Sequence, residues 1–440
     1  YPGFCLVMAA ALLVFFLKRH DWFGHGGTFP EAGSRPFPRE LSWPTWFAVY
    51  TVWFLSIALF VSFLIWPVGV PRLMGTSAVI FTAFASWVCM GSVLVYYGSR
   101  WEVPFIGIAL GLSVVFSVWN DNHQIRTLPE KTPAEQVLLV NHFTNWYGKL
   151  EQRFPNEARR PVFVVTAEGG GIRAAYWTAS VLAALQEENP NFASHVFGIS
   201  GVSGGSLGAV VFNALIACNR PTLVQDAQTI LSEDHLSPTI AYMTLPDLFQ
   251  RFLPFPIKAL DRARALEMAW EAAWKNHCGS DVFSQSFAGL WKLRPDLPDL
   301  YLNGTSVEYG NRIITTNVRF DEQDFVDSMS AYEKLNGDLR LSTAAHMSAR
   351  FPYVSPAGEF PDREHIVDGG YFENSGAATA NDLVDFAANA DRPNADIYVI
   401  RISNSPTEVS TELGPEKQEQ IRKREIMGES LSPVYTLLHT

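Results

Sequence analysis

Apolar and polar positions are distributed unevenly along this chain. Trp43–Pro67 and Leu73–Ser99 contain no charged residue, and each is long enough to cross a hydrocarbon core of about 30 Å at about 1.5 Å per residue. Val103–Trp119 is a shorter run of the same kind, and Pro2–Leu17 is a further one, followed directly by Lys18–Arg19. A removable leader is the rival reading of that first run. No small-residue cleavage site follows it and three more apolar runs do, so a span is preferred. Trp43, Trp46, Trp66, Tyr96, Tyr97, Trp101 and Trp119 sit near the ends of the runs, as interfacial anchors do. The pattern predicts an all-α transmembrane region of about four helices over residues 1–123; a set of core helices in a large soluble protein is the alternative.

Beyond residue 123 the periodicity changes. Thr132-Pro133-Ala134-Glu135 is a capping box with proline at the first helical position. Leu139, Phe143, Trp146 and Leu150 then recur at helical spacing, predicting an amphipathic linker helix within 124–159. It packs on the domain or lies on the bilayer. Pro161–Ala167 is β-rich, and a helical stretch runs from Ala174 to Glu188, closed by Asn189-Pro190. Val196–Ser200 is a second strand, and another helical run reaches Ala217. Such a β-loop-α-β-loop-α order implies neighbouring parallel strands with both loops at their C-terminal edge. Leu300–Ser306 and Arg312–Asn317 read as strands, Asp261–Trp274 as a helix, and Asp396–Ser403 as a buried strand. Residues 220–340 form an insertion. Within it Met243–Ile257, with three prolines and three phenylalanines, is a poor helix but a good apolar flap, either packed over the sheet or forming an acyl-chain wall or bilayer contact. Residues 406–440 read as a charged, helical extension.

Charge sharpens this division. Residues 1–123 hold Lys18, Arg19, Arg35, Arg39, Arg72 and Arg100 against Asp21, Glu31, Glu40, Glu102 and Asp121, a balance of +1; the chain is −11, so residues 124–440 carry −12. An acidic domain argues against nucleic acid as a partner and against a strong polybasic grip on anionic lipid. The Lys/Arg margin between loops assigns no side of the membrane to the catalytic region. The four cysteines have no CxxC spacing, so neither a metal site nor a redox cofactor is expected.

Both predicted loops carry chemistry. The first is Glu168-Gly169-Gly170-Gly171-Ile172-Arg173 and the second is Gly201-Val202-Ser203-Gly204-Gly205-Ser206. Gly-x-Ser-x-Gly between strand and helix is a nucleophile elbow, in which Gly201 and Gly205 relieve clashes around a strained Ser203. Three glycines leave bare backbone N–H groups for a ligand oxygen, so an oxyanion hole is expected from Gly169, Gly170, Gly171, Ile172 and Arg173. The same glycines fit a dinucleotide fingerprint, but the second strand then should end in an acidic residue, and it ends in Ser200-Gly201. Downstream, His365-Ile366-Val367-Asp368 reads as a strand delivering Asp368 into a Gly369-Gly370 turn. After Asp368 the only histidine is His439. His195, His346 and His365 lie nearer the motifs but precede the aspartate, which is not the chain order of an α/β-hydrolase triad. Asp368 would then take the Ser203 proton itself.

These three motifs in order, together with the small-residue segment Ala344–Pro352, resemble the patatin-like phospholipase family over about residues 160–405. The resemblance implies a three-layer α/β/α domain and a Ser203–Asp368 dyad without histidine. It also implies hydrolysis of acyl esters in membrane lipid with no cofactor, and an oxyanion hole from the first glycine loop. Ala174 stands where family members often have glycine. Acyl transfer from the same site, or an inactive membrane sensor or scaffold, are the alternatives; the intact motifs count against the last.

Overall fold

A computed structural model describes residues 43–128, 136–321, 323–390, 392 and 394–404. The first apolar run, the capping box at 132–135, His439 and the charged extension lie outside the described residues. Helix α1 (Trp43–Ile65) and helix α2 (Thr76–Trp101) are both long and apolar enough to cross a membrane. Only 6% of the apolar window of α1 and 17% of that of α2 are buried. The Val103–Trp119 run behaves differently from expectation: it folds as α3 (Phe105–Phe116), whose 12 residues rise about 18 Å, well short of a hydrocarbon core.

The amphipathic linker is α4 (Leu139–Arg153), and it resolves the two readings of its apolar face. Leu139, Phe143, Tyr147 and Leu150 are buried in a cluster with Val162, Phe197 and Leu383. The face packs on the domain, so it is not free to lie on a bilayer.

The domain is a mixed sheet with helices on both sides. Strand β1 (Arg160–Ala167) leads into α5 (Gly171–Glu188), β2 (Val196–Val202) and α6 (Gly204–Ala217). Helices α7 (Leu236–Thr244), α8 (Pro246–Gln250) and α9 (Arg262–Cys278) lie in the first part of residues 220–340; the later part supplies strands of the main sheet and is not an insertion into it. Then come β3 (Asp299–Ser306), β4 (Arg312–Thr316), β5 (Ser328–Ser330), α10 (Leu341–Ser348), β6 (Gly358–Glu359), β7 (His365–Asp368), α11 (Ala377–Asn389) and β8 (Ala395–Ile402). The main path of the sheet runs β8-β1-β2-β3-β4-β5. Strands β8, β1, β2 and β3 are mutually parallel; β4 and β7 both pair antiparallel with β3. Helices α5 and α6 cover one face and α4 and α11 the other, giving two apolar clusters either side of the sheet. One expectation fails. Strand β8 is not buried: Tyr398 and Val399 are both more than half exposed, because β8 closes the sheet path with β1 as its neighbour.

Between the insertion and the catalytic layer lies a buried ionic network. Glu267 on α9 is fully buried. Its Oε2 accepts from Arg126 at 2.9 Å and Thr343 at 2.7 Å; its Oε1 meets His346 Nδ1 at 2.9 Å and Arg350 at 3.9 Å. Burial pushes this carboxyl up, but Arg126, His346 and Arg350 together outweigh it and hold it at about 2. The folded pKa is below the unfolded value of about 4.3, so the stabilisation is complete above pH about 4.3 and is lost as pH falls towards 2. Glu267→Gln strands buried cations and is expected to cost about 3–5 kcal/mol. Thermal unfolding in detergent at neutral pH should show it, with a flatter acid limb than wild type.

Candidate active site

The elbow is built by close packing. Ser203 takes φ 50° and ψ −119°, a conformation disfavoured for any residue with a Cβ. It is held there because β2 ends at Val202 and α6 begins at Gly204, leaving Ser203 as the single residue between them. A Cβ on Gly204 would sit 1.9 Å from the Gly171 carbonyl oxygen, and one on Gly205 2.3 Å from that of Ala167. The two glycine loops therefore touch, and α6 lies hard against the start of α5. Gly201 lies against the backbone of Ser206.

Register brings the carboxylate to the serine. Val202 pairs with Asn303 on β3, and Asp368, arriving on antiparallel β7, pairs with Gly304, the next residue. Ser203 and Asp368 thus come off abutting strand ends along one edge of β3. Both are nearly buried, at 8% and 4% exposed. Asp368 N–H donates to Arg350 O at 3.0 Å, and its own carbonyl accepts from Thr305 Oγ1 at 3.0 Å. Gly369 lies against the Asn303 carbonyl, and Gly370 N–H donates to Asp368 Oδ1 at 2.9 Å. The other oxygen, Oδ2, has no hydrogen-bond partner among the described residues. Burial raises the Asp368 carboxyl above the usual carboxylate range, and the Ser203 hydroxyl and Gly370 N–H draw it partly back. A buried carboxylate with one open oxygen beside a hydroxyl is suited to taking a proton.

The glycine loop divides into two parts. Gly169 N–H already donates to Asn374 O at 2.9 Å, so that amide is committed and the residue instead gives a close approach to Asn374 and Ser203. Gly170 and Gly171 have φ of 148° and 63°, which only glycine adopts readily. Gly171, Ile172 and Arg173 form the first turn of α5, whose amides have no carbonyl within the helix to bond. The Arg173 side chain turns away to Asn404, donating to its Oδ1 at 3.1 Å and its carbonyl at 3.2 Å. The N-terminal ends of α5 and α6 both favour negative charge here.

Two contributors carried weaker signals in the sequence. Ser348, fully buried, accepts the Ser203 N–H at 3.0 Å and lies 2.6 Å from Asn303 O and 2.8 Å from Ser206 Oγ. Its single proton goes to Asn303, so Ser206 must donate to it. Ser348 falls in the small-residue segment 344–352, which marks the region but not the bond. Asn374, bracing Gly169 and Gly370, has no local signal at all. The three nearby histidines are engaged elsewhere: His195 with Asn191 O, His346 with Glu267 and Ser355, His365 with Glu308. Exposed Ile172, Phe351, Tyr353, Tyr371 and Phe372 supply apolar surface on the segments that flank these residues. Among the described residues no cluster of three or more His, Cys, Asp or Glu could hold a metal ion.

The family model for patatin-like phospholipase matches residues 165–381, from the middle of β1 to the first turns of α11. Residues 165–381 are a patatin-like phospholipase domain. The α/β/α layering and the mixed sheet are those of the patatin domain, preceded here by a helical region with two apolar helices. The family is one of lipid acyl hydrolases. The crystal structure of VipD from Legionella pneumophila aligns with 49% of this chain and 47% of its own, at 13% identity and a TM-score of 0.27. The chain thus spans about half the length of that protein, and a likeness this slight carries no argument. No curated protein matches the chain.

Proposed function

We propose that this patatin-like domain is a serine esterase acting on membrane lipid through a Ser203–Asp368 dyad, held at its substrate by the helices that precede it. The observation that carries the reading is the pairing of Val202 and Asp368 with consecutive residues of β3, which sets a strained serine beside a buried carboxylate. Ser203 Oγ attacks the acyl carbonyl carbon while Asp368 Oδ2 takes its proton. The carbonyl oxygen becomes an oxyanion held by the amides of Gly170, Gly171, Ile172 and Arg173, and each such donor is worth about 2.7–4 kcal/mol in the transition state. The ester C–O bond then breaks, and the leaving alcohol takes the proton from Asp368. Water attacks the acyl-enzyme as Asp368 accepts its proton. Collapse releases the fatty acid and returns the proton to Ser203.

The domain division 1–123, 124–159, 160–405 and 406–440 goes with this reading. Large apolar side chains of α1 and α2, among them Phe47, Phe54, Leu55, Phe81 and Val88, are exposed. An apolar surface this extensive calls for a cover, and a bilayer is the cover that fits helices of this length. The protein is therefore expected to resist alkaline carbonate extraction; release into the soluble fraction would remove the membrane part of the proposal. Fatty acid release from radiolabelled phospholipid vesicles, with and without an acceptor alcohol, tests the chemistry. Free acid as the dominant product in both supports hydrolysis; an acyl-acceptor product in its place would make the protein a transferase, and no product at all would refute the reading.

A further inference from the structure

The flap between α8 and α9 is fixed to the apolar helices rather than to the catalytic sheet. Asn120 and Gln250, both almost wholly buried, lock its base. Asn120 Nδ2 lies 3.0–3.4 Å from the carbonyls of Gln250, Arg251 and Leu253. Gln250 returns bonds to Asn120 O at 3.3 Å, Phe255 O at 2.8 Å and Ile257 N–H at 2.9 Å. Trp119, just past α3, donates its indole N–H to Pro254 O at 2.7 Å. The Phe249 ring meets Phe60 of α1 edge-on, 5.5 Å between centroids. Behind it α7 packs on α1 and α2 through Tyr242, Leu245, Phe63 and Val79. Yet Phe249, Phe252 and Phe255 remain 44%, 39% and 56% exposed. A segment this firmly held, with its phenylalanines turned outward, is not simply covering the domain core.

The helix lengths say what it faces. At the far end of α1 and α2, Trp46 contacts Tyr96 and Tyr50, and Tyr97 contacts Trp101, an aromatic belt of the kind found at a membrane boundary. A hydrocarbon thickness of about 30 Å, counted from Trp46 at about 1.5 Å per residue, ends near Trp66. Phe60 lies about 21 Å along that path. The Phe249 ring that touches it is therefore about 9 Å inside the boundary, on the domain side. We propose that the Phe249–Pro256 flap is an interfacial wedge, inserted among the acyl chains of the bilayer leaflet next to the catalytic domain, and that lipid molecules of that leaflet are its partner. A bonded link runs from the wedge towards the catalytic strands. Asp247 at its base pairs with Arg262, whose Nε donates to Val354 O at 3.1 Å; Val354 directly follows exposed Tyr353 and stands four residues after Arg350, whose carbonyl accepts the Asp368 N–H.

This inference rests on the membrane reading above, so its test separates the two. The full chain is reconstituted in phosphatidylcholine vesicles with p-benzoyl-phenylalanine at position 252 or 255, and at position 159, just before the first residue of β1, as control. Illumination should give phospholipid adducts from 252 and 255 and none from 159. Resistance to carbonate with no adduct from 252 or 255 overturns the wedge and leaves the membrane anchor standing; release by carbonate overturns both. In a second arm, Phe252→Asp with Phe255→Asp should lower hydrolysis of vesicle phospholipid about tenfold. Hydrolysis of a soluble short-chain ester should stay within about twofold, because neither side chain touches Ser203 or Asp368. An equal loss on both substrates would mean the flap serves the fold and would overturn the proposal. The cross-linking arm stands even if wild type cleaves neither substrate, an outcome that would count against the esterase and not against the wedge.

Discussion

Ser203→Ala should abolish ester hydrolysis while leaving the domain folded. The substitution removes one oxygen from a nearly buried position whose backbone is held independently, by the Ser348 bond to the Ser203 N–H and by the β2 ladder. Alanine meets the same φ of 50° with a side chain no bulkier than serine, so the added strain is small. Nucleophiles in such dyads carry most of the rate, and loss of one commonly costs several orders of magnitude. Residual phospholipid hydrolysis above about a hundredth of wild type, measured on protein with an unchanged melting temperature, would remove Ser203 from the role.

Asp368→Asn should be nearly as damaging, because two members of one proton-transfer unit are not additive. Its stability effect should have the opposite sign. Burial raises the folded pKa of Asp368 above the unfolded value of about 3.9. The folded state then binds more protons, so stability falls as pH rises from about 3.9 through the folded pKa. Asparagine removes the buried charge, and the variant should melt higher than wild type at neutral pH while being inactive. The acid limb of the wild-type pH–rate profile should lie above the usual aspartate range and reflect one carboxylate. His439→Ala should be tolerated; collapse of that variant with an active Asp368→Asn would restore a histidine-assisted triad.

How far the sequence could be read depended on whether the causes were local. The β1-α5-β2-α6 unit was legible because its strand runs, glycine loops and helical runs lie within one stretch, and parallel pairing with both loops at one edge follows from that order. Long-range pairing was not legible. Nothing near Asp368 says that it pairs with Gly304, and nothing near Ser348 says that it receives an amide from Ser203. The glycine run suggested five oxyanion donors, but an unforeseeable partner, Asn374, takes the first amide. Likewise the apolar stripe of α4 was plain, whereas its choice of the domain over a bilayer depended on Phe197 and Leu383 far along the chain. Asp396–Ser403 read as a buried strand; the exposure of β8 follows from its place at the end of the sheet path.

The central claim is that Ser203 is an activated nucleophile. Labelling the reconstituted full chain with a fluorophosphonate, followed by peptide mass spectrometry, tests it most directly. One phosphonylated residue is expected, Ser203, with labelling absent in Ser203→Ala and strongly slowed in Asp368→Asn. Label on another serine, or undiminished labelling in Ser203→Ala, would contradict it.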